Sequence, residues 1–197
     1  MRAGKSTAAI LALLTLMGCS GMKISDFENQ EPKFELETFF AGTTEASGIF
    51  YDRFGDVRRQ FIVDIEGRVD GDQLTLVEDF TYDDGETERR IWTLTRLDET
   101  RYEGTADGVV GKARGQIAGN AFHWEYTFDL KMKDRTLRVV FDDWMFLQPN
   151  GTVINRATIS KWGIELGTAV ISFSKTDALS QAGAPQVDQA LVTQAAE

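Results

Sequence analysis

The strongest constraint in this sequence is a rhythm of two. From Ala121 to Met132, the apolar residues Phe122, Trp124, Tyr126, Phe128, Leu130 and Met132 alternate with His123, Glu125, Thr127, Asp129 and Lys131. Successive side chains of a strand point to opposite faces, so this run has one oily face and one wet face, as an antiparallel sheet permits. The same period predicts strands at Phe34–Phe40, Gly48–Asp52, Arg58–Val69, Gln73–Tyr82, Thr87–Leu97, Arg101–Asp107, Lys112–Ala118, Thr136–Leu147, Thr152–Ser160 and Thr168–Lys175. Turn chemistry separates many of them: Asp70-Gly71, Asp83-Asp84-Gly85, Gly119-Asn120, Asp134-Arg135 and Asn150-Gly151. The pattern predicts an all-β domain, an antiparallel up-and-down barrel of about eight to ten strands, because closure removes exposed sheet edges. A barrel of that size has room for side chains or for one small ligand.

The same period exposes polar residues on the wrong face. One face of Gln73–Tyr82 reads Leu74, Leu76, Glu78, Phe80, Tyr82, and the more apolar face of Thr87–Leu97 reads Glu88, Arg90, Trp92, Leu94, Arg96. A three-residue loop with Gly85 in a left-handed bulge sets Glu78 opposite Arg90 and Leu76 opposite Trp92. A two- or four-residue loop sets Asp79 opposite Arg90 instead. Asp143 interrupts the stripe Leu137, Val139, Phe141, Met145, Leu147, and Asn155 interrupts Val153, Ala157, Ile159. A buried carboxylate is costly unless paired or used. The reading is a cluster of Glu78, Arg90, Asp143 and Asn155 inside an aromatic barrel walled by Trp92, Phe122, Trp124, Tyr126 and Phe128. Such a cavity suits an amphiphile, the wall taking the chain and the cluster the head group. A self-satisfied ion pair that fixes register is the foremost competing reading, and acid–base catalysis by Glu78 and Asp143 a third, with Arg90 expected to keep Glu78 ionised. Asp142 and Trp144 fall on the opposite face, where Trp144 caps a barrel end, packs beneath the tail or packs on the surface.

Composition closes other routes. A formal charge of −10, with 21 basic and 31 acidic side chains, opposes a nucleic-acid groove. One Cys and one His build neither a Cys/His zinc site nor a disulfide. His123 lies on the polar face, which opposes a Ser-His-Asp triad inside the barrel. There is no Gly-x-Ser-x-Gly elbow and no P-loop. Gly108, Gly111, Gly115 and Gly119 lack dinucleotide-site spacing. Asp70-Gly71-Asp72 and Asp83-Asp84-Gly85-Glu86 read as hairpin turns, not as calcium loops. No catalytic residue, metal or cofactor is expected.

The N-terminus reads as an address. Arg2 and Lys5 precede an apolar run from Ala8 to Met17, too short to span a bilayer. The run ends in Leu16-Met17-Gly18-Cys19, which resembles the lipobox of bacterial lipoproteins. That resemblance implies cleavage before Cys19 and acylation of it, with membrane attachment through the acyl chains. Loss of Arg2 and Lys5 makes the mature chain still more acidic, so no basic patch assists. Ser20, by the same resemblance, favours export to the outer membrane. The expected organisation is a signal peptide over 1–18, a lipidated tether over 19–33, the barrel over 34–175 and an Ala/Gln-rich tail over 176–197. That tail is disordered or weakly helical from Gln186 to Ala196.

Several blocks together carry a wider resemblance: Gly48-Ile49-Phe50 with Asp52-Arg53-Phe54-Gly55, Glu78-Asp79-Phe80 with Asp84-Gly85, and Arg90-Ile91-Trp92. Gly119-Asn120-Ala121, Asp142-Asp143-Trp144-Met145, Asn155-Arg156-Ala157 and Lys161-Trp162-Gly163 follow. In order and spacing they are similar to the proteobacterial lipoproteins of domain-of-unknown-function family 3833, from about Leu36 to Lys175. The resemblance implies a lipocalin-like barrel and a link to fatty-acid modification, and it supplies no catalytic residues. The expectation is an outer-membrane lipoprotein facing the periplasm that binds a fatty-acyl or similar hydrophobic ligand. An enzyme acting on acyl chains and a filled, structural barrel are the alternatives. Protein partners stay open.

Overall fold

Alternation and hairpin turns produce the predicted architecture. The computed structural model describes residues 21–132 and 134–176. Its strands are β1 (Gly42–Asp52), β2 (Val57–Asp70), β3 (Gln73–Tyr82), β4 (Thr87–Arg96), β5 (Arg101–Thr105), β6 (Ala113–Ala118), β7 (Ala121–Met132), β8 (Arg135–Leu147), β9 (Val153–Lys161) and β10 (Ile164–Lys175). Each pairs antiparallel with its sequence neighbour, and β1 pairs with β10, so the ten strands form a closed barrel. Inward residues make one continuous core that includes Ile65, Leu76, Trp92, Tyr102, Phe122, Trp124 and Val139.

The β3–β4 register follows from its turn. Tyr82 N–H donates to Glu86 C=O at 2.9 Å, and Gly85 N–H donates to Tyr82 C=O at 2.9 Å, closing a loop of Asp83, Asp84 and Gly85. Gly85 sits at φ 82°, in the left-handed region that glycine enters without penalty. Glu78 therefore lies opposite Arg90 and Leu76 opposite Trp92, the first of the two registers weighed.

The segment 34–40 corrects the sequence reading. It is not a strand: Leu36–Phe40 forms the one-turn helix α1, and Phe34, Leu36, Phe39 and Phe40 are all buried. Burial of adjacent Phe39 and Phe40 is incompatible with a strand wetted on one side. Leu36, Phe39 and Phe40 are instead an i, i+3, i+4 stripe. The helix plugs one end of the barrel. Phe40 meets Phe173 edge-on at 5.8 Å, and Gly67 of β2 passes so close that a Cβ there would lie 1.8 Å from the Phe40 carbonyl oxygen. Arg96 Nε bonds Glu37 Oε1 at 2.9 Å, tying α1 to the end of β4.

β1 begins at Gly42 rather than Gly48, because its inward residues Thr44 and Ala46 are small and leave no apolar signature. β10 begins at Ile164 rather than Thr168, with a bulge between Glu165 and Gly167 that breaks the alternation. Residues 21–33 lie against the wall at the plugged end. A 3-10 turn at Ile24–Phe27 brings Phe27 to 5.2 Å from Phe146 and 6.0 Å from Trp144, and Phe34 N–H donates to Gly119 C=O at 2.7 Å. The expected signal peptide, Cys19 and all of the tail beyond Thr176 lie outside the described residues. Among the described residues no helix is long and apolar enough to cross a membrane.

Candidate functional site

The barrel is not filled. A cavity of about 380 Å³ runs inside it, floored by Leu36 and Phe40 of α1. That volume lies within the range of small-molecule sites, roughly 300–1,000 Å³. All seven residues that the sequence singled out for binding line it together: Glu78, Arg90, Trp92, Trp124, Tyr126, Asp143 and Asn155. Four strands supply the polar members. Glu78 comes from β3 and Arg90 from β4, Asp143 lies opposite Trp124 across β7–β8, and Asn155 lies opposite Met145 across β8–β9. The aromatic wall is continuous, with Trp92 at 5.7 Å from Trp124 and 5.1 Å from Tyr126, and Tyr126 stacked on Phe141 at 4.9 Å. Phe122 also lines the cavity, whereas Phe128 is buried beside Arg90.

The Arg90 guanidinium departs from expectation. It lies between the rings of Phe80 and Phe128, 5.1 and 5.0 Å from their centroids. Its ion pair goes to Glu88 on its own strand, at 2.6 Å, rather than to Glu78 across the ladder. Glu88 is 41% exposed, so pairing there strips less water from a carboxylate than pairing deeper in the barrel. Glu78 is therefore not held ionised by Arg90. Burial pushes its carboxyl up to about 7, against the opposing pull of Arg90 and with added repulsion from Glu88. Asp143, only 6% exposed, is pushed up to about 8 by burial and by the charge of Asp142, with Tyr126 and Arg90 pulling the other way. Tyr126 is driven well above its ordinary value by burial and by the charge of Asp143. Burial thus favours the protonated form of both Glu78 and Asp143, beside the paired cations Arg59 and Arg90.

Four side chains that line the cavity each carry a buried polar atom with no partner among the described residues: Arg59 Nε, Arg90 Nε, Asp143 Oδ1 and Asn155 Nδ2. Buried groups of this kind are rare and mark a place for ordered water or a ligand. Three of the four are donors, which suits the oxygens of a carboxyl or ester.

Residues toward the other end of the barrel were missed. Arg59 lies 3.5 Å above the Tyr82 ring, bonds Asp84 at 3.1 Å and also pairs with Glu86. Tyr82 OH donates to Glu88 at 3.0 Å. The alternation Arg59, Phe61, Val63, Ile65 carries the signal, and so does Glu88 two residues before Arg90. On the outer wall, Trp144 packs on the surface between described neighbours, while any packing beneath the tail lies outside the described residues. Trp144 stacks on His123 at 4.3 Å beneath Phe27. His123, Glu125 and Asp142 bring three potential metal-ligating atoms within 4.8 Å of one another there, the one such group among the described residues.

A closed antiparallel meander, plugged at one end by a short helix around an apolar cavity with a few inward polar groups, defines a lipocalin-like barrel. The fold is shared with an S-type phycobiliprotein lyase from Guillardia theta, with a TM-score of 0.52 and 9% identity, over 71% of this chain and 89% of that one. By sequence, the chain belongs to the protein family of unknown function DUF3833, which it matches over residues 13–175. No curated protein matches the sequence.

Proposed function

We propose that the protein is an envelope lipoprotein, anchored in the outer membrane through acylated Cys19 and facing the periplasm, whose barrel holds a fatty-acyl or similar amphiphile. The observation that carries the binding role is the cavity of about 380 Å³, walled by aromatics and supplied with unpartnered polar atoms on Arg90, Asp143 and Asn155. The acyl chain lies along Trp92, Trp124 and Phe141. Its oxygens take the free N–H groups of Arg90 and Asn155, with protonated Asp143 as a further donor. The lipobox-like Leu16-Met17-Gly18-Cys19 supports the anchor.

Two alternatives fare less well. An acid–base enzyme wants two carboxyls with values pushed apart. Here Glu78 and Asp143 are both raised, to about 7 and about 8. A structural barrel needs a packed interior, and this interior is hollow. The test is uptake of a fluorescent fatty acid, with native mass spectrometry of the purified protein. Ala157→Phe, which fills the cavity from β9 beside Asp143, should abolish uptake and leave the fold intact. No co-purifying amphiphile and no uptake by the unaltered protein would sink the reading. Palmitate labelling of cells, lost in Cys19→Ser, tests the anchor separately.

A further inference from the structure

The rim opposite α1 carries large apolar residues that folding does not require. The β1–β2 turn ends in Phe54, 76% exposed, and the β9–β10 turn in Trp162, 89% exposed, with Ile164 beside it at 55%. The next hairpin along the barrel, β7–β8, brings Met132 to the same rim at 46% exposure. Arg53 N–H donates to Leu166 C=O at 3.0 Å, so the first two tips are bound side by side.

Trp162 is the informative residue. Lys161 pairs with Ile164, leaving Trp162 and Gly163 as a two-residue turn, at φ 53° and 76°. Both positions of such a turn need left-handed backbone, which suits Asn-Gly and penalises a bulky side chain. Trp162 is the one non-glycine residue at positive φ among the described residues. A ring held there at a cost in stability, and almost wholly in water, buries no surface against the core. Backbone strain without a structural return is a mark of function.

Each aromatic tip also carries its own cation. The Arg53 guanidinium lies 4.7 Å from the centre of the Phe54 ring, and Lys161 Nζ lies 4.6 Å from that of Trp162. The acids of the first turn, Asp52 and Asp56, are taken by Arg58. An aromatic ring flanked by a long cationic side chain suits the bilayer interface, where the ring sits among head groups and the cation among phosphates. A protein partner would more often meet one continuous apolar patch than separate tips.

We propose that this rim, led by Phe54 and Trp162 with Arg53 and Lys161, is a docking surface for a phospholipid bilayer. It rests on the reading of the barrel as an amphiphile carrier, since the cavity is floored at the opposite end and docking by this rim lets an acyl chain enter without crossing water. The ten strands and the core lie within residues 34–175, so a chain starting at Ser20 carries the whole fold and lacks the anchor. With vesicles of phosphatidylethanolamine and phosphatidylglycerol carrying brominated acyl chains, that chain should co-sediment, and the Trp162 emission should be quenched while Trp144, on the outer wall near the plugged end, stays bright. Trp162→Asn should lower vesicle binding at least tenfold and raise the melting midpoint, because Asn suits the turn. Phe54→Ser should lower binding without raising the midpoint. Vesicle binding unchanged in Trp162→Asn would overturn the proposal. So would a concentration-dependent dimer that the variant abolishes, since the rim would then serve a second copy. Uptake of a fluorescent fatty acid from water separates the two readings. Uptake without vesicle binding removes the docking surface and keeps the carrier, whereas Trp162-dependent vesicle binding without uptake does the reverse.

Discussion

Replacing Asp143 with Asn tests the account of the interior directly. The folded carboxyl is pushed up to about 8 from its ordinary 3.8, first by burial and then by the charge of Asp142. The fold therefore holds the protonated acid, and the unfolded chain holds the ionised one. This contribution to stability is whole below the unfolded value and drains away as pH climbs through about 8. Each pH unit in that window is worth about 1.4 kcal/mol. From pH 5 to pH 8 the cost assigned to Asp143 alone is thus about 4 kcal/mol, a large part of a typical domain's stability. Asn has nearly the shape of the protonated acid and cannot ionise. At pH 5, a little over one unit above 3.8, Asp143→Asn should already be the more stable by about 2 kcal/mol. At pH 8 Asp143→Asn should be the more stable by several kcal/mol. Urea titrations at both pH values, followed by tryptophan emission, read the difference, and the titration of Glu78 largely cancels because both proteins carry it. Parallel pH profiles would refute the reasoning, for they would mean that Asp143 is as well solvated in the barrel as in water.

Other perturbations probe other parts of the argument. Gly67→Ala drives a Cβ into the Phe40 carbonyl, at 1.8 Å before relaxation, and should cost about 2–3 kcal/mol in a denaturant titration by displacing the plug. Arg96→Ala removes the two-pronged bond to Glu37, whose partner is already a third exposed, so a loss of only about 1 kcal/mol is expected. Affinity for a carboxylate-headed amphiphile, measured by fluorescent displacement, should fall roughly tenfold from pH 6 to pH 9 as Glu78 and Asp143 ionise, and the fall should shrink in Asp143→Asn.

Most of the barrel was legible because its period is short and local. β3 and β7 begin and end where alternation and turn residues place them. The Asp83-Asp84-Gly85 loop narrowed the β3–β4 register to two choices, and the one with Gly85 at positive φ is the one formed. Where the signal failed, its physical basis was absent or shared. Phe34–Phe40 satisfies a strand's alternation at Phe34, Leu36 and Phe40 and a helix's spacing at Leu36, Phe39 and Phe40, and only the barrel end decides between them. Thr44 and Ala46 fill inward positions without looking apolar. The seven cavity residues could be grouped from sequence because a face is fixed by parity. The partner of Arg90 could not, since parity places Glu78 and Glu88 on the same side and the choice turns on access to water. Trp162 enters the sequence reading only within the Lys161-Trp162-Gly163 block, because exposure and backbone angle have no signature in composition.

The docking of residues 24–34 at the plugged end has a further consequence. The chain enters the barrel at its base, with Phe27 and Phe34 fixing that entry against β6 to β8. Whatever grips the chain ahead of residue 21 thus holds the molecule like a goblet by its foot, lip outward. β7 has twelve residues, and at about 3.3 Å per residue with a tilt of about 40° it stands about 30 Å tall. Foot and lip are separated by that height, so a grip on the foot turns the lip away from whatever holds it.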